Sequence, residues 1–187
     1  MANPSSRQSL IDYCLRRLGD PVIEINVDID QLEDRVDEAL QYWQEYHSDA
    51  TYRTYVSHLV GASDVTNEYV TVSNDVIYVS KMNRLYLHGD FNDKDVQAGD
   101  YIVYEAYKTV DSSAHTKVWN DMWLKEYTTA LIKQQWGSNL IKFEGMQLPG
   151  GVTLNGRQIF EDALQEIEKL REKIRMDFEM PADFFVG

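Results

Sequence analysis

The sequence has a single cysteine, Cys14, in 187 residues. No internal disulfide can form, and its place on an apolar helix stripe reads as a plain buried thiol. No long uninterrupted apolar run occurs, so no transmembrane helix is expected. The opening Met1-Ala2-Asn3-Pro4-Ser5-Ser6 has no charged n-region and no apolar h-region, so no signal peptide is expected either. These features fit a reducing cytoplasm. Positive charge is scarce: 18 Lys and Arg stand against 31 Asp and Glu, for a net charge of −13. A protein that grips nucleic acid needs clustered cations against phosphate, so that class is disfavoured. A wall that repels DNA and lets it slide past is compatible with the acidity.

Catalytic patterns are missing too. His47, His58, His88 and His115 fall on different predicted elements, and none belongs to a His-Glu-x-x-His pattern. No GxSxG elbow is present. Gly150-Gly151 with Gly156 lacks the Gly-Lys-Ser/Thr ending of a phosphate loop, and a turn explains these glycines better. Two acid sets, Asp28, Asp30, Glu33 and Asp34, and Asp90, Asn92, Asp93 and Asp95, are the places to look for a divalent ion. Neither has the central Gly and closing Glu of a calcium loop, and both read as caps and loop acids. Nothing marks a carboxylate pair for glycoside hydrolysis. The expectation is a protein that is not an enzyme and carries no cofactor and no metal.

What the sequence does hold is a folding pattern. Its 43% hydrophobic and 12% aromatic content belongs to a folded chain. Its length suggests one domain over residues 1–187, with room for a small subdomain. A first helix, residues 6–18, is capped by Ser5 or Ser6, buries Leu10, Ile11, Cys14, Leu15 and Leu18, and ends at Gly19-Asp20-Pro21. Val22 to Val27 alternates as a short strand or extended connector. A second helix, residues 30–47, starts at Asp30 with Glu33 in capping-box spacing and buries Leu32, Val36, Ala39, Leu40, Trp43 and Tyr46. Its acids read as a solvated face. Residues 51–108 change period and read as an inserted antiparallel sheet. Its strands are Tyr52 to Val60, Glu68 to Val72, Val76 to Ser80, Asn83 to Tyr86 and Tyr101 to Tyr107, with a loop from Gly61 to Asn67. A third helix, residues 113–136, starts at Ser112 or Ser113, carries Trp119 and Trp123 as core residues, and is interrupted by Gly137.

Residues 146–154 read as a hairpin around Pro149-Gly150-Gly151. Asn155 with Gln158 then caps a last helix, residues 156–179. Its stripe of Ile159, Ala163, Ile167, Leu170 and Ile174 runs at steps of four and three. Its acids precede its bases, which suits the helix dipole. About six turns span on the order of 30 Å. Pro181 stops the helix, and the tail, residues 180–187, is apolar with too few residues to form its own core. The fold class is therefore α+β. A helical bundle of three to four main helices carries an inserted small antiparallel β-sheet and a C-terminal extended tail. The tail either folds back on its own domain or plugs a pocket on another protein.

Several stretches together resemble one family. They are Trp119-Asn120-Asp121-Met122-Trp123-Leu124, Gln135-Trp136-Gly137-Ser138-Asn139-Leu140, Lys142 through Gly156 with its Leu148-Pro149-Gly150-Gly151 turn, and the ending Pro181-Ala182-Asp183-Phe184-Phe185-Val186-Gly187. With the opening Ser6 to Leu15, they resemble the neck protein of T4-like contractile-tailed bacteriophages, closest to the marine cyanobacterial-phage branch. The resemblance covers nearly the whole chain, and some family members are considerably longer.

It implies a head-to-tail connector of the virion neck. Such a connector forms a ring of twelve copies between the portal and the tail-side neck or tail-completion proteins, and DNA passes through its lumen. Assembly would take place in the host cytoplasm. No catalytic residues transfer. The portal-contact candidates are Phe178, Met180, Pro181, Asp183, Phe184, Phe185, Val186 and Gly187. The ring-contact candidates are Leu148, Pro149, Gly150, Gly151 and Val152. The alternatives are another neck component, such as a gatekeeper or tail-terminator ring, and a small acidic virion hydrolase.

Overall fold

The computed structural model describes residues 3–72, 82–88, 96–143 and 155–177. Along the chain run α1 (Arg7–Leu18), α2 (Ile29–Tyr46), β1 (Thr51–Leu59), α3 (Ala62–Asn67), β2 (Tyr69–Thr71), β3 (Arg84–Tyr86), β4 (Tyr101–Thr109), α4 (Met122–Ile141) and α5 (Gly156–Asp177). Single 3-10 turns, Ser48–Ala50 and Thr116–Asn120, precede β1 and α4. The class is α+β. Residues 1–50 with 111–187 form one compact unit and Thr51–Val110 a second. The hairpin 146–154, the strand Val76 to Ser80, the acids Asp90 to Asp95 and the tail lie outside the described residues.

Short polar side chains fix where the helices begin. Ser6 caps α1, and Ser9 returns the bond in a reciprocal box. Gly19 ends α1 at φ +120° and donates its N–H to the carbonyls of Leu15 and Arg16. Asp28, not Asp30, caps α2. Its Oδ1 accepts the Asp30 N–H at 3.0 Å, while Gln31 Oε1 accepts the Asp28 N–H at 3.2 Å. The start expected at Asp30 shifts two residues forward because the Asp-x-x-Gln box is satisfied first. Val22 to Val27 pairs with no strand among the described residues. It is an irregular connector, tied down where Asn139 Nδ2 donates to the Asn26 carbonyl at 3.0 Å.

The third helix departs most from the sequence expectation. The sequence pattern predicts it over residues 113–136, whereas it runs from Met122 to Ile141. Asp111 accepts both the N–H and the hydroxyl of Ser113 at 2.8 Å, which holds a turn where a helix was expected. Asp121 then caps α4 by accepting the Leu124 N–H at 2.8 Å. Gly137 does not interrupt the helix. It is buried, and a Cβ there would lie 2.7 Å from the Phe160 backbone nitrogen. A Cβ on Gly156 would lie equally close to the Ile141 nitrogen. The two glycines let α4 and α5 approach backbone to backbone at both places.

The helical unit is organised around α4, which packs against α5, α2 and α1. Trp123, Leu124, Tyr127, Thr128, Ala130, Leu131 and Ile132 are all buried. This is the pattern of a helix enclosed on nearly every side. Thr128 and Thr129 satisfy their hydroxyls on the carbonyls of Leu124 and Lys125, both at 2.7 Å. An aromatic column joins three helices: Trp123 and Tyr127 stack with centroids 4.5 Å apart, and Tyr42 of α2 packs at 5.8 and 5.3 Å from them. From α5, the Leu170 carbonyl accepts the Trp123 indole N–H at 2.8 Å. Arg171 Nε donates to the Tyr127 hydroxyl at 3.0 Å, and its guanidinium lies 5.3 Å from the Tyr42 centroid. Burial raises the Tyr127 phenol above its ordinary value, against the opposing pull of Arg171.

In the second unit β1 and β4 pair antiparallel over nine residues each, from Thr51 opposite Thr109 to Leu59 opposite Tyr101. β2 and β3 form a separate antiparallel pair. The expected loop Gly61 to Asn67 contains α3. Asp64 secures it by accepting the Gly61 N–H and by meeting His58 Nε2, each at 2.9 Å. The His58 bond, then the Gly61 bond, holds the Asp64 carboxyl below its ordinary range.

Candidate functional site

Several of the groups with catalytic chemistry are engaged in structure. His47 ends α2 in the core. Its Nδ1 accepts the Asp49 N–H at 3.2 Å, and its Nε2 lies 3.9 Å from Asp121 Oδ2. His58 meets Asp64, His88 follows β3, and His115 precedes the 3-10 turn before α4. Asp28 is a cap, and Glu33 and Asp37 both pair with Arg7. Among the described residues no group of three His, Cys, Asp or Glu could hold a metal ion. Cys14 is fully buried on α1, and burial pushes its thiol up to about 11. A thiol so protonated is a poor nucleophile.

The surface offers three features instead. The first is an open groove of about 550 Å³ between α1, α4 and α5, with Arg17, Lys133, Trp136, Glu166 and Lys169 among its walls. Lys133 and Glu166 close on each other across it at 2.8 Å. The second is a run of exposed apolar side chains, Val22, Ile23 and Ile29, before and at the start of α2. The third is the β1–β4 ribbon. The register places Arg53, Tyr55, Ser57 and Leu59 opposite Tyr107, Glu105, Val103 and Tyr101 on one face. Thr54, Val56, His58, Ile102, Tyr104 and Ala106 on the other face are partly or fully buried. The first face therefore points outward, yet Tyr55, Leu59, Tyr101 and Val103 on it are exposed apolar residues. An antiparallel strand that buries one face normally turns polar residues to water.

The family model described as bacteriophage T4 neck protein gp13 matches residues 1–84 and 75–187, which together span the chain. The chain belongs to this family. It is a structural protein of a phage neck, and its place is the virion. No solved structure matches it. No helix among the described residues is long and apolar enough to cross a membrane.

For a neck protein the relevant sites are contact surfaces, and the sequence named two. The tail set, Phe178, Met180, Pro181, Asp183, Phe184, Phe185, Val186 and Gly187, lies outside the described residues. So does the hairpin set, Leu148, Pro149, Gly150, Gly151 and Val152. The outward face of the β1–β4 ribbon was not named from the sequence. A signal was there: Tyr52 to Val60 carries large apolar residues at both odd and even positions, so each side of that strand needs cover.

Proposed function

We propose that this neck protein is the adaptor that joins the portal to the tail-side neck proteins. It forms a closed ring of about twelve copies, a number that would match a portal ring of the same symmetry. DNA passes through the lumen of that ring without specific binding. The observation that carries this reading is the neck-family match along the whole chain. Two features support it. The ending Asp183-Phe184-Phe185-Val186-Gly187 holds the kind of apolar side chains that fill a partner's pocket. The charge of −13 suits the wall of a passage that repels phosphate and lets DNA slide by.

The test is the native mass of the cognate portal ring mixed with this protein, beside the same mixture with a chain lacking Asp183 to Gly187. A gain of about twelve copies, lost on truncation, is expected. An equal gain by the truncated chain would overturn the tail as anchor. Loading onto a tail-side ring instead, in about six copies as in many gatekeeper or terminator rings, would move the protein down the neck.

A further inference from the structure

The outward face of the β1–β4 ribbon is the least ordinary surface among the described residues. Tyr55 is 66% exposed, Tyr101 70%, Val103 63% and Leu59 54%. They are not scattered. Leu59 and Tyr101 are direct cross-strand partners, Val103 faces Ser57 on the next rung of that face, and Tyr55 follows on the rung after. Large apolar side chains grouped on one exposed face mark a docking surface. Tyrosine suits such a surface, since it brings a large, stiff contact area with few torsions to immobilise.

The charge on this face points to the occupant. Its ion pair, Arg53 with Glu105, closes on itself at 2.7 Å, and Arg53 reaches the Tyr55 hydroxyl at 3.4 Å. The face therefore presents apolar surface and an internally compensated pair. The chain as a whole carries −13. Two identical chains repel through their acidic surfaces and meet at least cost where the surface is neutral and apolar. A basic partner would instead seek the acids on α2 and α5.

We infer that the outward face of the β1–β4 ribbon, centred on Tyr55, Leu59, Tyr101 and Val103, is a contact onto a second copy of this chain. This rests on the ring reading above and names the surface that builds the ring. It uses other residues than the tail proposed for the portal, so each contact can be removed by its own variant. A face that packs on a different face of its neighbour propagates head to tail and closes into a ring when the rotation allows. The exposed Val22, Ile23 and Ile29 supply a second apolar surface on the same chain for it to meet.

The experiment compares the full chain with the double variant Tyr55→Gln, Val103→Gln during titration onto the cognate portal ring, read by native mass. Wild type is expected to give two populations, empty and fully loaded rings, because each bound copy helps the next. The variant, held by its tail alone, is expected to give a broad spread of partly loaded rings at the same concentration. Both changes sit on an exposed face, and an unaltered far-ultraviolet circular dichroism spectrum checks the fold.

In parallel, hydroxyl-radical footprinting should label Tyr55, Leu59 and Tyr101 in the free chain and several-fold less in the loaded ring. All-or-none loading by the variant would overturn the ribbon contact and leave the ring standing. Undiminished labelling of the three residues in the loaded ring would do the same. Independent, one-by-one loading of the wild type would overturn the ring reading and the ribbon contact together.

Discussion

Cys14 shows how one side chain reports on the packing around it. It sits on α1 against α4, with its Sγ 3.9 Å from the Lys125 carbonyl. Burial raises its thiol from 9.0 to about 11, more than the Thr129 bond and Arg17 lower it. Two pH units mean about 100-fold less thiolate than a free cysteine at the same pH. Alkylation of the native chain at pH 8 should therefore be at least that much slower than in denaturant, as mass spectrometry of iodoacetamide adducts would show. The sign of the linked stability follows. The folded state favours the protonated thiol, so its contribution is complete below pH 9 and is lost as pH rises towards 11. A Cys14→Ala chain should show a shallower alkaline decline in melting temperature between pH 8 and 11, the remainder coming from groups such as the buried Tyr127, whose phenol is also raised.

At the scale of elements, the α4–α5 pair depends on two missing methyl groups. Gly137 and Gly156 each face the other helix's backbone, and a Cβ at either would stand 2.7 Å from a backbone nitrogen. Backbone cannot rotate away as a side chain can, so the helices must separate. Overpacking of this kind costs about 1–3 kcal/mol. In a chain of this size that is a fall in melting temperature of roughly 2–12 °C. Gly137→Ala should show it, although alanine is the better helix former by about 1 kcal/mol in an exposed position. A stabilised Gly137→Ala chain by thermal denaturation would contradict the close approach. The same separation would stretch the Trp123 indole bond to the Leu170 carbonyl, so the tryptophan fluorescence of the folded state should shift with it.

Across the whole molecule, charge sets the terms of assembly. A chain at −13 repels its own copies through every acidic surface. Screening shortens the reach of that repulsion from about 10 Å at 0.1 M salt to about 3 Å at 1 M. Association of copies through a neutral apolar face should therefore strengthen as salt rises. Light scattering between 0.05 and 0.5 M sodium chloride should show increasing mass for the wild type. Weaker association at higher salt would mean that opposite charges hold the copies together.

The class of this protein and its family are legible in the order of its residues. Periodicity marked Val36, Ala39 and Trp43 of α2 and Ala163, Ile167 and Ile174 of α5 as core residues, and all are buried. Such stripes are legible because burial on a helix repeats with the helix's own geometry. The long stretch around Leu148-Pro149-Gly150-Gly151 and the ending Asp183-Phe184-Phe185-Val186-Gly187 carried the neck resemblance that the family match bears out.

Other features come from how the elements pack in three dimensions. Gly137 read as a helix breaker because propensity counts the residue alone, whereas its place against the Phe160 backbone makes the missing side chain an asset. Ser112 and Ser113 read as caps, but Asp111 captured Ser113 in a turn and Asp121 capped the helix instead. Which polar group wins depends on backbone geometry that no local pattern contains. The outward face of the ribbon was only half legible in the chain: Tyr52 to Val60 shows large apolar residues on both sides of the strand, not what they meet across it. Tyr55 and Tyr101 are 46 positions apart, and only the pairing of β1 with β4 places them on one surface. Strand alternation separates a strand into two faces, but which of them meets water is set by what packs on the other.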